Sequence, residues 1–478
     1  MLARSLNTLW LAFVTLLLLS AIALTSARLW VPTLGEYRTD IEALAGELLG
    51  RPVSIGRMDA TWRGLGPVIK LRDVVISNPE QPGRRLAVKE IWLGLDIWKY
   101  IYEQTLQLKG IELIGAELTV IRDEDGQIYI DRLRGEGDAT QALSGLLETR
   151  RLAIHDSVIT VHDRLNGRQP ARFADVTFKL ENTGDRHELI GYAMLPGHLG
   201  YRVDVQGVLR GAVGAIGTWS GRLYMKGQSL ALTDENLAPI ISDVDIQGVA
   251  DVRCWVDIEL ADLQSIRGEV EISDLQVQRA AAEWTMDYAV ERFSGVFGWR
   301  EGKTGWQFTT QRLSVEQDAG SETREQSLYS LAGHTLDGER YIVGEFAHLY
   351  LEDLQSFLRM IPGLEDKTWR QIADFTAEGT VSNLSVNFRS AGDVIRVLDF
   401  HADFDDLGFR SARTGAAISG LQGTITGTGD AGALWLQSRD VGFRDETLFR
   451  DTLYFDALDG EVAWRYDDDR LIVSGKSL

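Results

Sequence analysis

The sequence predicts a mainly β protein, built as an antiparallel sheet with one N-terminal transmembrane helix and a few short helices. Three observations support this fold class. From residue 52 onward, apolar and polar residues alternate in short runs, as they do in strands. Gly, Asp and Asn interrupt these runs about every 8 to 12 residues, a spacing typical of meandering antiparallel strands. Only 9 prolines occur among 478 residues, while 48 glycines supply turns and bulges.

The N-terminal helix is predicted from residues 5–27, which are 23 consecutive uncharged residues. As a helix with a rise of about 1.5 Å per residue, they would extend roughly 34 Å, enough to cross a hydrocarbon core of about 30 Å. Trp10 and Trp30 stand where interfacial aromatic residues are expected. A cleaved signal peptide with an A-x-A site at residues 21–23 is the alternative. We assign residues 1–28 to a membrane anchor with a cytoplasmic N-terminus.

The elements after the anchor are predicted in order along the chain. Residues 34–48 place apolar side chains at helical spacing and Gly50 follows as a C-cap, which predicts an amphipathic helix. The run IWLGLDIW (91–98) alternates as a strand. The run GAELTVIRDEDGQIYI (115–130) predicts two strands joined by a turn at residues 123–126.

Weak internal repetition continues to the last residues. FSGVFGWREG (293–302) and LDGEVAWRYD (458–467) share a glycine and a Trp-Arg pair at equal spacing. Segments 230–241 and 349–362 each predict a strand that leads into a short helix. Repetition of short elements indicates a sheet that grows by addition. Because the final residues read as a strand, we expect the chain to be truncated at its C-terminus.

Composition excludes some functions. The net charge is −21 and no basic block occurs, which argues against nucleic-acid binding because phosphate contacts need a basic surface. The single cysteine, Cys254, cannot form an internal disulfide. It alternates with Val252 and Val256, which predicts a small buried apolar side chain.

The search for catalytic or metal-binding residues identifies no site. His155 and His162 resemble a pair, but their seven-residue spacing is expected to place them on opposite strand faces. Gly302-Lys303-Thr304 lacks the upstream glycine of a phosphate-binding loop and is interpreted as a hairpin turn. We therefore predict no enzymatic activity, no metal and no cofactor. A surface-acting hydrolase remains the weakest alternative, because 70 acidic residues offer many carboxylate pairs.

Several predicted strands carry large apolar side chains on both faces. Trp92 lies opposite Leu93 and Leu95, and Trp435 lies opposite Leu434 and Leu436. Two packed sheets would explain this pattern as a closed sandwich. A curved sheet with an apolar concave side explains it equally well.

A series of motifs over about residues 1–130 resembles the AsmA-like family. In order they are GRPVSI (50–55), LRDVVI (71–76) after Pro67, LKGIEL (108–113) and LTVIRDEDG (118–126). The resemblance implies a chorein-like region over residues 29–135 and a repetitive β-groove over residues 136–478. In this family the sheet is long, twisted and curved into a U-shaped apolar groove.

The resemblance also implies a function. AsmA-like proteins are expected to carry phospholipids between the membranes of the Gram-negative envelope, with acyl chains inside the groove. We accordingly expect this chain to be held in the inner membrane by residues 5–27, with its bulk in the periplasm and further partners among outer-membrane or envelope proteins. The alternative is a non-catalytic scaffold for outer-membrane assembly. The positions predicted to line the lipid path are Leu93, Leu95, Leu118, Val120, Leu223, Met225, Val256 and Ile258.

Overall fold

The structure is a computed structural model, and it confirms the mainly β fold class. The residues it describes are 10, 13–15, 17–18, 25, 38–49, 52–63, 66–77, 85–96, 99, 102–103, 108–126, 128–131, 149–165, 167, 169–213, 215–237, 245–281, 284–316, 327–336, 338–352, 375–391, 394–445, 447–467 and 470–476.

Helices are few within this part of the chain. Helix α1 spans Arg38–Leu49 and confirms most of the predicted amphipathic helix. Helix α2 spans Asp234–Leu237 and follows a strand, as predicted for segment 230–241, and a 3-10 turn spans Ile216–Thr218. The predicted anchor at residues 5–27 lies largely outside the described residues, as does the helical part of segment 349–362. No helix that the structure describes has both the length and the apolar character needed to span a bilayer.

Twenty-two strands are described, all within one hydrogen-bonded sheet. The chain divides into two compact units: residues 1–225 with 258–262, and residues 226–257 with 263–478. The first unit contains β1 Val53–Arg63, β2 Gly66–Ser77, β3 Arg85–Leu95, β4 Leu108–Arg122, β5 Ile128–Ile130, β6 Arg151–Asp163, β7 Ala171–Thr183, β8 Arg186–Met194 and β9 Arg202–Arg210. Strands β10 Ser220–Leu232 and β11 Asp245–Glu259 include residues of both units.

The second unit continues the same style of strand. It contains all of β12 Asp262–Ala281 except Asp262, together with β13 Trp284–Gly302, β14 Gly305–Glu316, β15 Ser327–Leu336, β16 Glu339–Tyr350, β17 Phe375–Ala391, β18 Val394–Ser411, β19 Ala417–Gly427, β20 Ala431–Arg444, β21 Leu453–Asp467 and β22 Arg470–Lys476. From β12 to β22, each strand pairs with the next in antiparallel orientation. The predicted antiparallel meander is confirmed here.

The first unit departs from the meander at one place. Strand β4 pairs in parallel with β6, because the chain crosses over between them. The predicted turn at residues 123–126 is confirmed: Gly126 donates its backbone N–H to Asp123 O at 3.0 Å, and β5 returns along β4.

Helix α1 covers part of the edge of β1. Arg38 Nη1 donates to Ile55 O at 3.0 Å and to Gly56 O at 3.2 Å. The backbone N–H of Ile55 donates to Glu42 Oε1 at 2.6 Å. Ile41 packs against the apolar cluster beneath. The helix thus supplies hydrogen-bond partners that an edge strand lacks.

Buried side chains gather on one side of the sheet in each unit, and we call this side the apolar face. In the first unit it carries three clusters, built around Ile55, Leu118 and Leu180. In the second unit it carries two smaller clusters, built around Val277 and Val441.

Many strands contain a single residue in the left-handed backbone region. This residue resets the alternation of side chains, so that two residues an odd number of positions apart on either side of it lie on the same face. Leu71 and Val74 are three positions apart, yet both belong to one buried cluster, and Asp73 between them has φ of 53°. Leu436 and Val441 are five apart and also share a cluster, with Asp440 between them. Asp, Asn and Gly tolerate this conformation best. Such residues inside strands, with φ from 46° to 77°, include Asp73, Gly115, Asp156, Asp175, Asp274, Asn383, Asp406, Gly420 and Asp440.

This reset corrects the expectation for the two histidines of β6. Ile154 and Ile159 lie on either side of Asp156, and both pack against the same cluster. His155 and His162 therefore both lie on the opposite face of the strand. The prediction that they lie on opposite faces was wrong, because strict alternation does not hold across a left-handed residue.

Candidate functional site

The apolar face of the second unit carries a row of directly paired residues, which we call the apolar row. One residue of each strand from β12 to β22 contributes to it. Directly opposed residues on neighbouring strands lie on the same face of a sheet. The row therefore forms a line without any polar side chain, and its members are Ile266, Trp299, Phe308, Leu331, Gly344, Val386, Phe400, Gly427, Gly432, Trp464 and Val473.

On each strand, a residue directly adjacent in sequence to the member of the apolar row points to the other face of the sheet. Together these residues form a second row, which we call the polar row. None of its members is a large apolar residue. They are Arg267, Gly298, Thr309, Ser330, Glu345, Ser385, His401, Thr426, Ala433, Ala463 and Ser474. The second unit thus has a sheet with two chemically different faces at this level.

The apolar row is only half-buried. Trp299, Phe308, Leu331 and Phe400 are all partly accessible, and Val473 is 59% exposed. An apolar sheet face in a soluble domain is normally covered by a second layer. Here the accessible apolar area offers a binding surface for an apolar ligand.

A cavity that is largely open to solvent lies along the row where β13, β14 and β15 meet. Its volume is about 580 Å³, within the range of roughly 300–1,000 Å³ that is usual for ligand pockets. Its apolar lining consists of Trp299, Trp306, Phe308 and Leu331. Lys303 and Glu301 lie at the hairpin end of the cavity.

Ion pairs occupy the polar face of the second unit. Arg253 Nη1 lies 3.7 Å from Glu269 Oε2, and Arg312 Nη2 lies 3.9 Å from Glu269 Oε1. Arg292 Nε lies 3.4 Å from Glu271 Oε1. These charges are exposed and contribute little to stability. They keep one side of the sheet hydrated while the other side is apolar.

The first unit has a corresponding row, and half of its members are buried. Its directly paired members are Ala60, Ile69, Leu93, Ile111, Leu152, Leu180, Leu189 and Gly207. Leu180 is 2% exposed and Leu152 is 8% exposed. Leu93 of β3 and Leu223 of β10 pack against the same cluster. Around Ile111, Leu152 and Leu180, the side chains of this unit therefore cover its apolar face themselves.

The eight predicted lining residues lie in different surroundings. Leu93 and Leu95 pack against the cluster around Ile55, and Leu118 is buried in the next cluster. Leu223 also packs against a buried cluster. The more accessible members are Val120, Met225, Val256 and Ile258, of which Met225 is 37% exposed. Their role in a lipid path stays a prediction.

Sequence reasoning missed the residues of the apolar row. Trp299 and Trp306 belong to GWREGKTGW, a segment whose pattern predicts only a hairpin. That prediction is confirmed, since Gly302 pairs with Gly305 across the turn. The available signal was the cluster of tryptophan and glycine around the turn, which identifies no face by itself.

Other candidates for chemistry have structural roles. Cys254 is half-buried, and burial raises the pKa of its thiol, which disfavours the reactive thiolate. His187 is fully buried, stacked on Trp219 with ring centroids 4.0 Å apart. Within the described residues, no three His, Cys, Asp or Glu side chains are grouped so that they could hold a metal ion.

Comparison with known proteins gives a family match over the whole chain. A family described as YhdP protein matches residues 1–478, which confirms the resemblance seen in the N-terminal motifs. The chain is 21% identical over 494 aligned positions to the intermembrane phospholipid transporter YhdP of Escherichia coli (strain K12). The alignment covers 97% of this chain and 36% of the relative, so the chain spans about a third of the relative's length. No solved structure matches the chain.

Proposed function

We propose that this chain, which belongs to the YhdP protein family, carries phospholipids by sheltering their acyl chains along the apolar row. The observation that supports this most directly is the half-exposed line of apolar side chains from Ile266 to Val473, backed by a polar row. The function of the Escherichia coli relative, intermembrane phospholipid transport, points to the same ligand.

The physical basis is the transfer of methylene groups from water to an apolar surface. Each methylene removed from water gains about 0.8 kcal/mol, so an acyl chain favours an apolar track over solvent. The phosphate headgroup keeps its hydration if it stays at the margin of the track. Movement along the track needs a path without polar side chains from strand to strand, and the apolar row places none on it.

The location follows from the proposed anchor. Residues 5–27 hold the chain in the inner membrane, with the N-terminus in the cytoplasm and the strands in the periplasm. Transport is directed towards the outer membrane, and further envelope proteins take part at the far end. No covalent bond of the lipid changes in this process, so the proposed carrier is not an enzyme and needs no cofactor.

Site-specific photocrosslinking tests the proposal. Benzoylphenylalanine is placed at Leu331 or Val386 in the apolar row, and at Ser330 or Ser385 in the polar row. We expect the apolar positions to capture phospholipid at least ten times more efficiently in cells. Val256 and its neighbour Asp257 provide the same comparison at a predicted lining position. Equal capture on both faces, or capture on neither, would contradict the proposal.

Charge substitution distinguishes a carrier from a scaffold. Leu331→Arg puts a cation on the apolar row, while Ser330→Arg puts the same cation on the polar face. A carrier should lose envelope barrier function with Leu331→Arg and retain it with Ser330→Arg. Normal barrier function in both variants would favour a non-catalytic scaffold instead.

A further inference from the structure

Aromatic rings on the apolar face of the second unit rest on glycines of the neighbouring strand. Each such glycine is the direct cross-strand partner of the aromatic residue. A Cβ atom added to the glycine would lie 3.0 Å or less from the nearest atom of the ring. The pairs are Phe297 with Gly268, Trp306 with Gly333, Phe400 with Gly427, Phe404 with Gly423 and Trp464 with Gly432.

The pair formed by Trp306 and Gly333 is the clearest. A Cβ at Gly333 would lie 2.7 Å from both Cε2 and Nε1 of the indole and 2.9 Å from Cζ2. All three nearest atoms belong to the ring and none to the backbone. Because Trp306 is 38% exposed, the ring has room to move away from the strand. The glycine therefore allows the ring to lie flat against the sheet.

The position of this ring matters because Trp306 lines the cavity of about 580 Å³ between β13, β14 and β15. Trp299, Phe308 and Leu331 form the rest of its apolar wall. Phe308 and Leu331 are members of the apolar row and pair directly with each other. A ring lifted from Gly333 would move into the space beside them.

We infer that this cavity is a subsite for a phospholipid acyl chain, and that Gly333 sets its depth by letting Trp306 lie flat. The inference rests on the proposed function for the identity of the ligand. The apolar wall accepts methylene groups, and the ammonium group of Lys303 offers a partner for a lipid phosphate at the hairpin end. Gly333 lies inside β15 and not in a turn. Its role is therefore to leave space for the indole ring of Trp306, not to reverse the chain.

The test uses purified protein and a phosphatidylglycerol with a diazirine in one acyl chain. Crosslinked residues are mapped by mass spectrometry. In the unsubstituted protein we expect adducts in the segments that contain Phe308 and Leu331. Gly333→Ala should reduce these adducts at least fivefold, while adducts near Phe400 are unchanged.

Two further variants show that the ring causes the loss. Trp306→Ala removes part of the apolar wall and should lower the adducts less than Gly333→Ala does. Gly333→Ala combined with Trp306→Ala should match Trp306→Ala alone, because no ring remains to be displaced. Gly298→Ala on the polar face of β13 is the matched control, since its Cβ would approach Thr309 Oγ1 at 2.9 Å instead of a ring. This control should behave as the unsubstituted protein.

The outcomes separate the inference from the proposed function. Adducts that persist in folded Gly333→Ala, or that fall below those of Trp306→Ala in the double variant, would overturn the role of Gly333 and Trp306. An unsubstituted protein that yields no adduct on any strand of the apolar row would overturn the carrier itself. If Gly333→Ala does not fold, Gly333→Ala combined with Trp306→Phe replaces it, because a smaller ring then lies opposite the new Cβ. Adducts equal to those of Trp306→Phe alone would overturn the role of Gly333.

Discussion

The two units present the same kind of apolar row but cover it to different extents. In the first unit, the row through Ile111, Leu152 and Leu180 is covered by neighbouring side chains. In the second unit, the row through Phe308, Leu331 and Val386 stays half-exposed. Both rows arise from the same alternation and the same cross-strand pairing. The comparison teaches that alternation determines which side chains share a face, whereas packing across that face determines whether the face is a core or a binding surface.

The largest expected effect comes from shortening one leucine in each row. Leu180→Ala leaves a cavity in a packed cluster and should lower the free energy of unfolding by about 2–5 kcal/mol. Leu331→Ala removes a half-exposed side chain and should cost less than about 1.5 kcal/mol. Urea denaturation followed by circular dichroism measures both. A loss for Leu331→Ala as large as that for Leu180→Ala would show that the second row is packed as a core.

A second pair of variants compares two stacked histidines. His187 in the first unit is fully buried, with Nδ1 2.7 Å from Asn182 Oδ1 and Nε2 3.1 Å from Gly211 O. His187→Ala removes both contacts and the stacking on Trp219, so we expect a loss of about 2–4 kcal/mol. His334 in the second unit stacks on Tyr341 at 5.2 Å but is exposed. His334→Ala should stay within about 0.5 kcal/mol.

The same denaturation series decides this second comparison. His187→Phe serves as a control, because it keeps an aromatic ring against Trp219 while it removes the hydrogen bonds. Its loss should fall between those of the unsubstituted protein and His187→Ala. Equal stability of His187→Ala and His334→Ala would mean that the two units do not differ in packing.

The smallest effect concerns a feature that the units share. Asp73 in the first unit and Asp440 in the second unit both have left-handed backbone conformations, with φ of 53° and 55°. Val disfavours this region, so Asp73→Val and Asp440→Val should each cost about 1–2 kcal/mol. Asp→Gly at either position should stay within about 1 kcal/mol of the original. Thermal unfolding midpoints provide the measurement, and unequal costs for the two Val variants would show that the reset differs between the units.

Much of the fold was accessible from the sequence because alternation is a local property. Helix α1, the hairpin at residues 123–126 and the run of antiparallel strands all follow from short patterns. The parallel pairing of β4 with β6 did not follow, because no local pattern states which edge a strand joins after a crossover.

The candidate site was less accessible, for two physical reasons. Left-handed residues such as Asp156 shift the alternation, so a count of positions along the strand assigns the wrong face. A glycine within a strand pattern predicts a turn or a bulge, and nothing in the sequence singles out Gly333 or Gly432. Their role appears only when the ring on the neighbouring strand is known. Register between strands is a property of the folded sheet, and the sequence does not state it.

The short helix α1 affects the strand edge at which two copies of this protein could pair. A protein assembled by adding hairpin after hairpin presents an open margin that would accept a strand from a second molecule as readily as one of its own. Arg38 and Glu42 occupy the backbone groups of Ile55 and Gly56 at the first margin. The helix thereby leaves fewer free backbone groups at this margin for a strand of a second copy to pair with.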